Sequence, residues 1–143
     1  MIFKSSRNIY IVITLWAVIV LLSLPFLVFI QSIPWQIILG AGSAIVICDA
    51  LLLWILFDTK YIIRNHYFNY YSGPYRGNIN IKSIRKIETD NSFIKSTLLK
   101  PALGTNGLVI YYNKFDDIFI SPADKNGFIK QILIINPDIE LKQ

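Results

Sequence analysis

From Ile9 to Ile30 no side chain carries a charge, and from Ile37 to Phe57 only Asp49 does. Each run is long enough to cross a hydrocarbon core of about 30 Å at a rise of roughly 1.5 Å per residue. Two spanning helices are therefore expected, at about 9–30 and 37–57, joined by the uncharged segment Gln31 to Gln36. From Asp58 onward the pattern changes to short alternating runs punctuated by turn residues. Strands are expected at Thr59 to Arg64, Tyr67 to Ser72 and Arg76 to Ile81, with turns at Asn65-His66 and Gly73-Pro74. Ile84 and Ile87 suggest a short or irregular strand, and Leu108 to Tyr112 and Asp117 to Ile120 a hairpin. The stretch from Asn91 to Gly107 is longer and weaker in pattern, and the part around Glu88 to Leu99 is the least regular. At the end, Phe128, Ile132 and Ile135, with Ile129 and Leu133 beside them, recur at helical spacing. That helix is expected at about 122–136, with Ser121 as N-cap, Pro122 at its first position and Pro137 as its stop. The pattern divides the chain into a helical hairpin anchor, residues 1–57, and a mainly-β domain, residues 58–143.

A secretory signal is excluded as the meaning of the first run. It exceeds the usual roughly 7–15 apolar residues, lacks a small-x-small cleavage site and is followed at once by a second run. Lys4 and Arg7 precede the first helix and Lys60 and Arg64 follow the second, while the connecting segment is uncharged. By the positive-inside rule both termini face the cytoplasm, and the chain is expected in the cytoplasmic membrane as a two-span protein. Trp35 suits the outer interface, and Cys48, in the membrane, needs no disulfide partner.

Within the hairpin, Gly40 and Ala44 have the small-xxx-small spacing that lets helix backbones approach closely in lipid. That face meets either the first helix, which the short loop favours, or a second copy in a homo-oligomer. Asp49 is the one ionisable group at depth, with an insertion cost on the order of 3 kcal/mol. Counting inward from the helix ends sets it level with Thr14 to Ala17, which makes Thr14 and Trp16 its expected partners. Asp49 either fixes the register of the hairpin or marks a proton site or a contact to another membrane protein.

The run Tyr71-Ser72-Gly73-Pro74-Tyr75-Arg76, then Ile79, Ile81, Ile84 and Ile87, forms one half of a pattern. Pro101-Ala102-Leu103, Leu108 to Tyr112, Ile120-Ser121-Pro122 with Asp124-Lys125 and Phe128-Ile129, and Asn136-Pro137 with Ile139 form the other. Together they resemble the bacterial pleckstrin-homology-like (PH-like) domain found in small membrane proteins, often behind two transmembrane helices. The resemblance covers about residues 58–140. It implies a bent antiparallel barrel of six to seven strands with one C-terminal helix, and it implies no reaction and no agreed ligand.

The chemistry-bearing residues point the same way. His66 is the single histidine and sits at a predicted turn with Asn65, close to the membrane; Cys48 lies in an apolar run, so no Cys/His pair and no zinc set is expected. Asp116-Asp117 and Glu88/Asp90 are carboxylate pairs at predicted turns or strand ends, and no glycine-rich phosphate loop is present. An enzyme is not expected, nor any cofactor or metal. After residue 57 the chain carries twelve Lys/Arg against eight Asp/Glu, concentrated at Arg76, Lys82, Arg85 and Lys86, with Lys95 and Lys100 following. These basic residues are the candidate surface for anionic lipid headgroups or a protein partner. The excess is too small, and the tyrosines too much like sheet packing, for nucleic acid. The expected function is a non-catalytic, membrane-anchored binding or scaffolding module that recognises a protein segment or anionic lipid. The alternative is a regulatory or self-immunity protein acting through its transmembrane hairpin at Asp49.

Overall fold

The computed structural model describes residues 1–91, 97 and 99–142. Two helices, α1 (Ile9–Phe29) and α2 (Trp35–Asp58), form an antiparallel hairpin, and both are long and apolar enough to cross a membrane. Their apolar side chains are mostly exposed, with no residue of α1 buried. Inside α2 the helix widens to π-helical turns at Ile38–Gly42. An extra residue in a turn rotates everything before it about the axis. As a result Gly42, and not Gly40, meets the partner helix. A methyl group on Gly42 would stand 2.9 Å from Cζ of Phe26, whereas the space beside Gly40 is open. The Gly40–Ala44 contact expected from spacing is replaced by Gly42 against Phe26.

The depth pairing expected for Asp49 also shifts. Ser23 Oγ donates to Asp49 Oδ2 at 2.5 Å, while Thr14 Oγ1 donates to the carbonyl of Tyr10 within its own helix. Helical side chains lean toward their own N-terminus, which for α2 is the loop end of the hairpin. Asp49 therefore reaches further toward the loop along α1 than a count of Cα levels suggests.

Among the described residues, eight strands form two four-stranded sheets. The first sheet has the order β1-β2-β3-β4: Ile2–Lys4, Lys60–Arg64, Tyr67–Ser72 and Tyr75–Asn80, all antiparallel. The second has the order β7-β6-β5-β8: Asp116–Ile120, Gly107–Tyr112, Ile84–Asp90 and Glu140–Lys142. The last of these runs parallel to β5, the others antiparallel. The expected fold stands as a PH-like domain behind two apolar helices, but the expected barrel is not closed. A 3-10 turn at Ile81–Ser83 separates β4 from β5, which lie in different sheets, and two strands beyond the expected ones are Ile2–Lys4 and Glu140–Lys142. One of them, β1, lies among the residues the sequence assigns to the anchor.

Turn chemistry sets the hairpins. Asn65 (φ 55°), Gly73 (φ 57°) and Asn113 (φ 48°) adopt the left-handed conformation that Asn and Gly tolerate best. Helix α3 (Lys125–Ile135) is shorter than expected, because Asp124 caps it by accepting from the Gly127 N–H at 2.8 Å. Ser121, the expected cap, is buried and bonded elsewhere. Phe128 and Ile132 enter the core from α3 without residual exposure. The Phe128 ring meets Phe3 and Phe68 edge-on, each at 5.3 Å. At the end of α3, Asn136 Nδ2 donates to the carbonyls of Ile81 (3.0 Å) and Ile84 (3.1 Å), fixing the helix over the 3-10 turn.

Candidate functional site

Strand register brings Lys4, Lys60, Tyr71 and Arg76 into one cross-strand row. Lys4 is opposite Lys60, Lys60 opposite Tyr71, and Tyr71 opposite Arg76. Directly opposed side chains in a sheet sit about 4.5–5.5 Å apart at Cβ and share a face. Phe3 and Tyr61, one residue away, point into the core, so this row points outward.

The row lies where the domain joins the helices. Thr59 Oγ1 donates to the Ile55 carbonyl at 2.6 Å and lies 3.1 Å from Ser72 Oγ, so the end of α2 is tied to β3. Gly73 packs directly on Ile55. The Arg76 guanidinium lies over the rings of Trp54 (5.2 Å) and Tyr71 (5.7 Å), and its Nε donates to the Gly73 carbonyl. Lys60 also lies over Tyr71, and Arg7 over Phe57. One carboxylate, Asp58, serves two of these cations: 2.7 Å from Lys60 Nζ and 3.5 Å from Arg76 Nη2. Among the described residues, Lys4 and Arg7 form no ion pair. The belt of Lys4, Arg7, Lys60 and Arg76 thus carries a surplus of positive charge next to apolar helix surface. Two cavities flank the end of α2 here. One, of about 380 Å³, lies between Lys4, Arg7, Phe57 and Lys60; the other, of about 330 Å³, lies between Ile55, Tyr75, Arg76 and Lys100.

A buried polar knot holds the N-terminal part of the belt in place. The Tyr61 hydroxyl donates to the Pro101 carbonyl (2.7 Å) and accepts from the Ser121 N–H (3.0 Å). Ser121 Oγ accepts from the Gly104 N–H (3.0 Å) and lies 2.9 Å from Ser5 Oγ, which accepts in turn from the Leu103 N–H. Burial raises the Tyr61 pKa, because a phenolate would be desolvated there.

The basic residues singled out in the sequence do not come together. Arg76 joins the belt. Lys82 is exposed in the 3-10 turn, and Arg85 donates to the Lys114 carbonyl at the β6–β7 turn. These two lie beyond the far end of β4, a strand of six residues, or about 20 Å. Lys86 is bonded to Glu88 at 3.0 Å; that bond raises the lysine pKa and lowers that of the carboxylate. Lys95 lies outside the described residues. His66 is exposed at its predicted turn, at the end of the β2–β3 hairpin remote from Gly73. Asp116 accepts from Asn113 Nδ2 within a turn. Among the described residues no three His, Cys, Asp or Glu side chains gather as a metal site. Lys4 and Arg7 carried a signal in the sequence only as helix flanks; the place of Lys4 in the belt depends on pairing with Lys60, and that of Arg7 on its bridge to Leu103.

The sequence model of the family described as Bacterial PH domain matches residues 59–136. No curated protein and no solved structure matches the chain.

Proposed function

The chain belongs to the bacterial PH domain family, and from that premise we propose that it is a non-catalytic binding module held at the cytoplasmic membrane by its hairpin, whose belt of Lys4, Arg7, Lys60 and Arg76 engages anionic lipid headgroups. The cross-strand row carries this reading. Like charges directly opposite in a sheet are unfavourable, and Lys4 with Lys60 is such a pair. A phosphate between them and Arg7 relieves it. Near an anionic leaflet each basic side chain adds about 1 kcal/mol of attraction. With both termini cytoplasmic, the belt lies at headgroup level and acyl chains run along the exposed apolar flanks of α1 and α2. Arg76 and Lys60 also stack on Tyr71, an arrangement that keeps their charge outward while burying their stems. Lys82, Arg85 and Lys86 take no part in this site, because they are remote from it or already paired.

The test uses the full chain, since a fragment starting at Asp58 lacks β1 and leaves the Phe128 ring without Phe3. The protein is reconstituted in nanodiscs of equal anionic and zwitterionic lipid, and the lipids retained after extraction are identified by native mass spectrometry. Enrichment of anionic lipid that fades with salt and is lost in the Lys4→Ala/Arg7→Ala double variant is the expected result. Equal retention of both lipid classes by the parent chain would sink the proposal.

A second reading places function in the hairpin. The observation favouring it is Asp49, whose Oδ1 is buried without a hydrogen-bond partner among the described residues.

A further inference from the structure

The C-terminal strand β8 is unlike the other strands. It has three residues, every one exposed, and it is the one parallel strand among those described. Its partner β5 is paired on its other side with β6 over most of its length. β8 covers only Lys86, Ile87 and Glu88, and β5 continues past it to Asp90. Parallel pairing is also slightly weaker per residue than antiparallel pairing.

The contact is nevertheless chemically matched. Glu140 lies opposite Lys86, Leu141 opposite Ile87, and Lys142 opposite Glu88, its Nζ 3.9 Å from Glu88 Oε1. Leu141 remains 49% exposed although Ile87 beneath it is buried. Beside the pair, a cavity of about 420 Å³ runs between β5 and α3, with Ile87, Leu108, Ile129 and Leu141 as its apolar lining and Lys125 and Lys142 at its edge. The chain is secured just before the strand by Ile139, which is buried in the core. Beyond that residue, the described residues 140–142 are held by one short ladder and the Lys142–Glu88 ion pair.

We infer that the outer edge of β5 is a strand-accepting site, occupied at rest by the chain's own tail, that takes in its place an extended segment of a partner protein bearing an acidic, an apolar and a basic residue in succession. Main-chain hydrogen bonds to an open sheet edge supply affinity, and the residues facing Lys86, Ile87 and Glu88 supply selection. The cavity toward α3 gives the incoming apolar side chain more room than Leu141 fills. The tail acts as a tethered competitor, because its linkage to Ile139 gives it a high effective concentration at the edge. This site is separate from the lipid belt, so either can fail without the other.

The probe is a fluorescent peptide with the sequence of residues 136–142, added to the full chain in micelles and followed by anisotropy. Two variants set the comparison. One ends at Ile139. The other, in a Cys48→Ala background, carries Lys86→Cys and Glu140→Cys at directly opposed positions, whose Cα spacing in a sheet falls within disulfide range. The shortened chain is expected to bind the peptide at least tenfold more tightly than the full chain. The oxidised double-cysteine chain should not bind it and the reduced form should, though more weakly than the shortened chain because Lys86 is lost, and a peptide with aspartate in place of the leucine should fail throughout. No binding by a shortened chain that keeps its circular dichroism, or equal binding by oxidised and reduced forms, would overturn the inference. Disulfide-linked dimers of the double-cysteine variant would overturn it too, in favour of tail exchange between copies. Should the shortened chain not fold, the oxidised and reduced comparison decides alone.

Discussion

Lys4 and Lys60 stand directly opposite one another on antiparallel strands, both pointing away from the core. Such a pair is unfavourable by roughly 0.2–1 kcal/mol. Asp58 satisfies Lys60 but does not reach Lys4. A fold optimised only for stability would place a carboxylate here. Lys4→Glu is therefore expected to raise the thermal midpoint of the chain in detergent by about 1–4 °C while reducing anionic-lipid retention. Opposite movements of the two readouts would identify Lys4 as a binding residue. A parallel fall in both would assign it a structural role.

Tyr61 supplies the second prediction. Its hydroxyl is buried between the Pro101 carbonyl and the Ser121 N–H. Tyr61→Phe leaves both groups without that partner and is expected to destabilise the fold by about 1–3 kcal/mol. The same burial raises the Tyr61 pKa above its ordinary value of 10.0. The folded chain thus keeps a proton that the unfolded chain loses near pH 10. Stability from this group is complete below pH 10 and is lost as pH rises from there through the folded-state value. Urea unfolding between pH 8 and 11 should show a steeper alkaline decline for the parent than for Tyr61→Phe. The partly exposed Tyr111 and Tyr112, whose values burial also raises, leave a smaller slope of the same sign in both.

Gly73 joins the domain to the helices at a point where no side chain fits. Its φ of 57° disfavours any Cβ, and a Cβ there would stand 2.7 Å from Ile55 Cγ1 and 3.2 Å from the Ile55 backbone nitrogen. Gly73→Ala is expected to cost about 1–3 kcal/mol through the backbone alone. Because the turn must withdraw from Ile55, the stack of Arg76 on Trp54 loosens with it. Tryptic cleavage after Lys60 should accelerate more than cleavage after Lys114, at the far end. Uniform acceleration would mean global destabilisation without uncoupling of the domain from α2.

The local parts of this design were legible and the long-range parts were not. Two long apolar runs gave the two helices, and Asn65 and Gly73 gave the turns between β2, β3 and β4, because each signal is complete within its own stretch of chain. Ile2–Lys4 was legible only as a charged flank. Three residues carry no periodicity, and their identity as a strand comes from pairing with residues some sixty positions later. Ser121 followed by proline satisfies the local rule for a helix start, yet its hydroxyl and N–H are taken by Ser5, Gly104 and Tyr61, partners that only the folded chain brings near. Of the candidate site, Arg76 stood out by its charge; Lys4 joined it through strand register and Arg7 through an isolated bridge to Leu103. Lys82, Arg85 and Lys86 were neighbours in sequence, but a surface cluster is set by where strands end.

Asp49 separates the belt from the hairpin as the seat of function. Ser23 Oγ donates to its Oδ2, and Oδ1 has no hydrogen-bond partner among the described residues. Asp49→Leu removes a group whose presence in an apolar span costs on the order of 3 kcal/mol. It is expected to stabilise the hairpin in micelles by up to about that amount and to leave lipid retention unchanged. Ser23→Ala should cost about 1–2 kcal/mol in the parent and almost nothing in the Asp49→Leu background, since the two residues form one bonded pair. A protein shaped only for stability has no reason to retain such a carboxylate. A gain in stability with lipid binding intact would therefore show that Asp49 serves a contact within the membrane, distinct from the belt. If Asp49→Leu instead abolished lipid retention, the belt would not be the binding site, and the hairpin would take its place.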